Sequence, residues 1–135
     1  MKDVLFVIGS QSDETAVKPG LSLLEEKGLS FDLKVLSAHR NLEQLISFLR
    51  AEEGNYRVVI AAAGLSAALP GVVASIVKLP VIGVPLAAGA LSGIDALLAI
   101  VQLPRGVPVA TMGIGPQGVL NAVHLAERIL AVPPK

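Results

Sequence analysis

A chain of 135 residues falls in the size range of one domain and is long enough to bury a real core. Its 11 Lys and Arg balance 11 Asp and Glu, which argues against electrostatically driven binding to nucleic acid or to an acidic membrane. It has no cysteine, which excludes disulfides and thiolate chemistry and fits a reducing cytoplasm, the expected location.

The chain opens MKDVLFVIGSQSD, a short apolar run that passes straight into polar turn residues. That is the pattern of a first strand, Val4–Ile8; a signal peptide needs a longer apolar region and a small-residue cleavage site. Asp13–Lys27 predicts a helix with Val17, Leu21 and Leu24 on one face and a stop at Gly28. Phe31–Leu36 alternates apolar with polar as a second strand. Asn41–Glu52 is a second helix, with Asn41 as N-cap and Leu42, Leu45, Ile46 and Leu49 on one face. Val58–Ala62 is wholly apolar, the kind of strand that a parallel sheet buries on both faces. Ser66–Ile76 reads as a helix that Pro70 would bend or restart. Val81–Val84 is a fourth strand, Ser92–Val101 a helix, Val107–Thr111 a fifth strand and Pro116–Leu130 the last helix. The apolar stretch from Leu79 to Leu103 is broken by Pro80, Pro85 and Asp95, which argues against a membrane span. Pro85 and Pro108 are candidates for rigid turns or special peptide geometry.

Five strands, each followed by a helix, specify an α/β protein: three layers, with a doubly wound parallel sheet covered on both sides. Right-handed crossovers at this length favour a flavodoxin-like strand order of 2-1-3-4-5. No linker, repeat or low-complexity segment interrupts residues 1–135, which predicts a single domain. Charge is uneven along it: residues 1–57 hold 16 of the 22 charged side chains, leaving 6 for residues 58–135. Peripheral elements with so few charges predict outer faces packed against other subunits, and hence a homo-oligomer.

In such a sheet a ligand binds beyond the carboxyl ends of the strands, at the switch point between the first and third. After strand 1 comes GSQSD, Gly9–Asp13. Gly9 permits a tight turn there, and the hydroxyls of Ser10 and Ser12, with free backbone amides at a helix start, can hold an anion. Equally, Ser12 or Asp13 can serve only as a helix cap. After strand 2 comes SAHR, Ser37–Arg40. With Asn41 as cap, His39 and Arg40 are spare at the switch point. Arg can fork onto a phosphate or carboxylate, and His can move a proton near neutral pH. A functional role outweighs a surface His-Arg pair at this location. The other histidine, His124, is expected to be half-buried on the flank of the last helix, with no catalytic part. Two histidines so far apart, with no cysteine, give no metal-site pattern. The glycine-rich segments 61–71, 83–93 and 113–118 allow close approach of backbone to a ligand or to another chain. Tyr56 and three Phe offer few rings for a flavin, and alanines close strand 3 where a receiver domain needs an Asp.

These loops, in this order, resemble the PurE family of purine biosynthesis, the carboxyaminoimidazole ribonucleotide mutases, over nearly the whole chain. GSQSD fits the family's G-S-x-S-D, and SAHR is identical to its second motif. ALPGVVAS matches most of A-H-L-P-G-x-x-A, LSGIDALLAIVQLPRGVPVATMGIG fits the long third block, and NAVHLAERILA fits the final helix. The resemblance implies a flavodoxin-like subunit, an octamer in most members, and no metal or organic cofactor. The implied reaction rearranges an N-carboxylated aminoimidazole ribonucleotide to its ring-carboxylated isomer through release and recapture of carbon dioxide. Carried over by position, Ser10, Asp13 and Arg40 hold the phosphoribosyl part, Ser37 lines the same pocket and His39 is the general acid/base. Ser12, Gly64, Ser66 and Leu69 complete the implied substrate-binding set. Direct carboxylation of aminoimidazole ribonucleotide or a related nucleotide is a second reading of the same pocket, and a non-catalytic nucleotide-binding paralogue a third.

Three departures stand out. The family's loop histidine is Ala68 here, Leu65-Ser66 follows Gly64 where the family has Gly-Gly-Ala, and the sequence ends at Lys135 without the usual C-terminal tail.

Overall fold

A computed structural model describes residues 1–65 and 67–135. In chain order the elements are β1 (Val4–Ile8), α1 (Glu14–Glu26), β2 (Phe31–Val35), α2 (Leu42–Glu52), β3 (Val58–Ala63), α3 (Leu69–Ile76), β4 (Val81–Pro85), α4 (Ile94–Val101), β5 (Ala110–Thr111) and α5 (Gly115–Ala131). All five strands run parallel in one sheet, in the expected order β2-β1-β3-β4-β5. Val4 pairs with Phe31 on one side and with Val58 on the other, so the chain reverses its direction of winding at β1 and β3.

The apolar runs explain which strands lie in the middle. Every residue of β1, β3 and β4 is buried, because helices cover both faces of the sheet. One face joins Val4, Phe6, Ile8, Ile60, Ala62, Ile82 and Val84 to Val17 and Leu24 of α1 and to Val119, Ala122, Val123 and Ala126 of α5. The other face packs Leu5, Val7, Val59 and Ala61 against Leu45 and Leu49 of α2, Val73 of α3 and Ala96 of α4. Each leucine or isoleucine fully buried in these layers contributes about 1.5–3 kcal/mol. β2, the alternating strand, is an edge with no fully buried residue. At its N-terminal end Asp32 accepts hydrogen bonds from Lys2 (2.5 Å) and from the Tyr56 hydroxyl (2.6 Å). Burial and this bond push the Tyr56 pKa upward, so the phenol remains a donor.

Three boundaries differ from the sequence expectation by more than one residue, each for a local reason. β5 is two residues long and begins after Pro108, which has no N–H to give to a ladder. The Val107 N–H turns back instead to the Pro104 carbonyl at 3.1 Å. α3 starts at Leu69, and Pro70 sits in its first turn, where a missing N–H is harmless, rather than bending a longer helix. α4 starts at Ile94 because Ser92 (φ 52°) and Gly93 (φ 92°) both occupy the left-handed region. Only glycine fits at position 93, where a Cβ would lie 2.6 Å from Ile114 Cγ2 and 3.1 Å from the Leu86 carbonyl. The described peptide bonds are all trans, those before Pro85 and Pro108 included.

Candidate active site

The carboxyl ends of β1, β2 and β3 deliver three loops to one cavity of about 500 Å³. In the first loop Ser10 is extended, and its hydroxyl accepts the Ser12 N–H (3.3 Å) and lies 2.9 Å from Ser12 Oγ. The Asp13 N–H donates to the Ser10 carbonyl at 3.0 Å, closing a single 3-10 turn ahead of α1. The cap of this turn is therefore Ser10. Asp13 stands at the N-cap of α1 without a side-chain capping bond.

In the second loop the Leu36 N–H still bonds to the Ile8 carbonyl (2.9 Å), after which the chain leaves the sheet. Ser37 is buried, at 8% exposure, and its Oγ accepts the N–H groups of His39 (3.2 Å) and Arg40 (3.1 Å). Its carbonyl accepts the Asn41 N–H at 3.0 Å. Asn41 holds the N-cap position but makes no side-chain cap bond, contrary to the role expected for it; the Ser37 hydroxyl organises the turn instead. His39 and Arg40 are exposed on the cavity wall, and Arg40 takes part in none of the three ion pairs among the described residues.

The third wall is apolar. Ala63, Gly64, Leu65, Ala67, Ala68 and Leu69 line it, and Ala88 reaches it from the loop after β4. Gly64 and Ala88 touch closely enough that a Cβ on Gly64 would lie 2.7 Å from Ala88 Cβ.

Of the sequence candidates, Ser10, Ser12, Asp13, Ser37, His39, Arg40, Gly64 and Leu69 all line this cavity, while Ser66 lies outside the described residues. Ala63, Ala67 and Ala88 were not singled out in the sequence, because alanine carries no chemistry to flag it. The loop after β5 does not reach the cavity. His124 is exposed on α5, not half-buried as expected, because the core-facing positions there are Ala122, Val123 and Ala126. Among the described residues no three His, Cys, Asp or Glu side chains form a group that could hold a metal ion.

Burial raises the Asp13 pKa, opposed by a backbone hydrogen bond at Ser10 and by the positive charge of Arg40. A carboxyl whose folded pKa exceeds its unfolded value of about 3.9 destabilises the fold once pH rises past both, and the penalty vanishes below the unfolded value. Asp13→Asn is thus expected to raise the melting temperature at pH 7 and to leave it nearly unchanged near pH 3. Thermal denaturation at the two pH values is the check, and an equal shift at both would exclude the charge as the cause.

The sequence signature of the family described as AIR carboxylase matches residues 3–135. The chain belongs to that family. An N5-carboxyaminoimidazole ribonucleotide mutase of Brucella melitensis is 46% identical over 131 residues, which cover 96% of this chain and 81% of that protein. The protein of the same name from Escherichia coli K12 is 45% identical over 133 residues, or 98% of this chain and 79% of its own. Among solved structures, Treponema denticola PurE superposes with a TM-score of 0.84 at 29% identity, covering 95% of this chain and 79% of that one. This AIR carboxylase family member therefore shares the fold of the Treponema denticola protein, and its own sheet has the expected strand order.

Proposed function

We propose that this chain is a mutase of purine biosynthesis, converting N5-carboxyaminoimidazole ribonucleotide to carboxyaminoimidazole ribonucleotide. The observation that carries the reading is one cavity in which an exposed histidine and arginine face a serine-rich turn across a wall of small apolar side chains. Its volume, about 500 Å³, lies within the range for small-molecule sites. In this reading Ser10, Ser12, Asp13 and Arg40 take the phosphoribosyl part, with Arg40 forking onto phosphate oxygens. Gly64 and Leu69 pack against the base, and Ser66 belongs to the same binding set.

The reaction asks for one proton in each direction. When the N–carboxyl bond breaks and carbon dioxide leaves, the exocyclic nitrogen takes a proton. When the ring carbon then bonds to carbon dioxide, that carbon gives one up. His39 serves both steps and ends in its starting state. Among the described residues the alanine wall holds no group that would hydrate or trap carbon dioxide.

Direct carboxylation of aminoimidazole ribonucleotide is the second reading, favoured by the description of the family as AIR carboxylase. An absorbance assay of the wild-type chain separates the readings. Conversion of the N-carboxylated substrate that is independent of added bicarbonate supports the mutase, and bicarbonate-dependent consumption of the uncarboxylated nucleotide supports the carboxylase. Binding without turnover of either leaves the non-catalytic paralogue.

The enzyme is proposed to act as a single-domain subunit of residues 1–135 in the cytoplasm, as a homo-oligomer and in particular an octamer. No described helix is long and apolar enough to cross a membrane. α4 supports the assembly: Ile94, Leu98 and Val101, at 54%, 47% and 56% exposure, form an apolar stripe with the spacing of one helix face. Sedimentation is expected to give the mass of eight subunits, and Leu98→Glu to reduce it; an unchanged mass in the variant would remove α4 from the interface.

A further inference from the structure

We infer that Ser37, besides lining the cavity, is a positioning residue for His39 and Arg40; the inference rests on the mutase reading for its kinetic consequences only. Ser37 is the only buried serine, threonine or charged residue among the described ones. A serine hydroxyl has two acceptor lone pairs and one hydrogen. Here both acceptor sites face backbone: the N–H of His39 at 3.2 Å and the N–H of Arg40 at 3.1 Å. The acceptor sites are thus taken by the two residues that present the imidazole and the guanidinium to the cavity, and only the hydroxyl hydrogen is left to meet a ligand there.

Among the described residues nothing else holds this turn in the same way. Ser37 is tied to the sheet through its neighbour, since the Leu36 N–H bonds to the Ile8 carbonyl at 2.9 Å. On the far side the Ser37 carbonyl takes the Asn41 N–H at 3.0 Å, and the Asn41 carbonyl takes that of Leu45 at 2.9 Å, which starts α2. Between these anchors, residues 38–40 form a turn whose inner amides have one acceptor, the Ser37 hydroxyl. Asn41, which has a suitable side chain, does not supply a second. The hydroxyl therefore fixes the backbone from which both working side chains project, and a displacement of about 1 Å in such groups can lower a rate about 100-fold. The side chain that carries the proton and the one that holds the phosphate are set by the same oxygen. That links turnover to binding through a residue that touches neither reacting atom.

The test uses Ser37→Ala, Ser37→Thr and the double variant Ser37→Ala/His39→Asn. Amide hydrogen exchange in the free protein reads the positioning directly and requires no turnover. The His39 and Arg40 amides are expected to exchange about tenfold faster in Ser37→Ala and near the wild-type rate in Ser37→Thr, which keeps the acceptor oxygen. In turnover, Ser37→Ala is expected to lower kcat about 10–100-fold, and to have little further effect once His39 is already asparagine. A rise in KM alone, with kcat and amide exchange unchanged, would make Ser37 a substrate ligand and overturn the inference. Unchanged exchange overturns it as well, whatever the kinetics. Faster exchange in a chain whose wild type turns over no substrate would keep the structural role of Ser37 and sink the mutase reading instead.

Discussion

His39→Asn is expected to lower kcat by about 10²–10⁴-fold while leaving the binding of a ribonucleotide substrate within a few-fold of wild type. The expectation follows from the inventory of the cavity. Its titratable side chains are Asp13, His39 and Arg40, and the rest of the lining is serine, glycine, alanine and leucine. Arginine does not give up its proton in proteins. In the proposed reading Asp13 belongs to the turn that takes the phosphoribosyl part, which leaves His39 to carry a proton to nitrogen and from carbon. The position where the resemblance to the PurE family implies a second histidine is Ala68, on the same wall, so no neighbouring imidazole is available to take over. Asparagine keeps a polar side chain of similar size and cannot shuttle a proton. Its backbone N–H can still bond to the Ser37 hydroxyl, so the turn and Arg40 keep their places. The absorbance change of the interconversion, followed in both directions, gives kcat, and calorimetric titration with substrate gives the affinity. An unchanged kcat would remove His39 as the proton carrier. A lost affinity with normal kcat would make it a binding group.

The same inventory shows what a sequence can and cannot display. The limits of β1 were readable because five apolar residues lie between charged and glycine-serine neighbours, and the start of β3 because its apolar run follows Arg57, although the strand extends one residue past the expected Ala62. The site was legible for a related reason. Polar residues that close an apolar strand have to lie at its carboxyl end, and strand order then decides which ends meet. What escaped was everything decided by one side chain bonding to backbone or by one left-handed residue. Asn41 has the composition of a cap, yet the Ser37 hydroxyl is already seated against the turn. Ser92 looks like the start of a helix, yet its φ of 52° places it outside one. Val107 and Val109 flank a proline that prevents pairing, which leaves β5 with two residues. Each of these is a competition between alternatives within about 1 kcal/mol of one another, below what a residue pattern can resolve.

The largest structural effect is expected from Gly118→Ala. Gly118 sits in the first turns of α5, and a Cβ placed there would lie 1.9 Å from the Gly113 carbonyl oxygen and 2.7 Å from the carbonyl carbon. Those are backbone atoms, so no side-chain rotation relieves the clash. The loop has little room to withdraw. Gly113 has a φ of 114°, its N–H points to Thr111 Oγ1 at 3.4 Å, and Thr111 is paired with Gly83 in the sheet. Either β5 leaves β4 or the start of α5 lifts off the sheet. The second route uncovers Val119, Ala122 and Val123, which form part of the core against β1, β3 and β4. Overpacking a well-filled site costs about 1–3 kcal/mol, and a contact of backbone with backbone belongs at or beyond the upper end. For a domain of this size a loss of about 3–5 kcal/mol lowers the melting temperature by about 10–25 °C. Gly54→Ala is the matched control: a Cβ there meets nothing within 4 Å, and the change is expected to stay within about 0.5 kcal/mol. Thermal denaturation of the two variants beside wild type is the measurement. If Gly118→Ala melts within about 2 °C of wild type, about the shift that 0.5 kcal/mol produces, then the loop after β5 yields easily and does not hold α5 against the sheet.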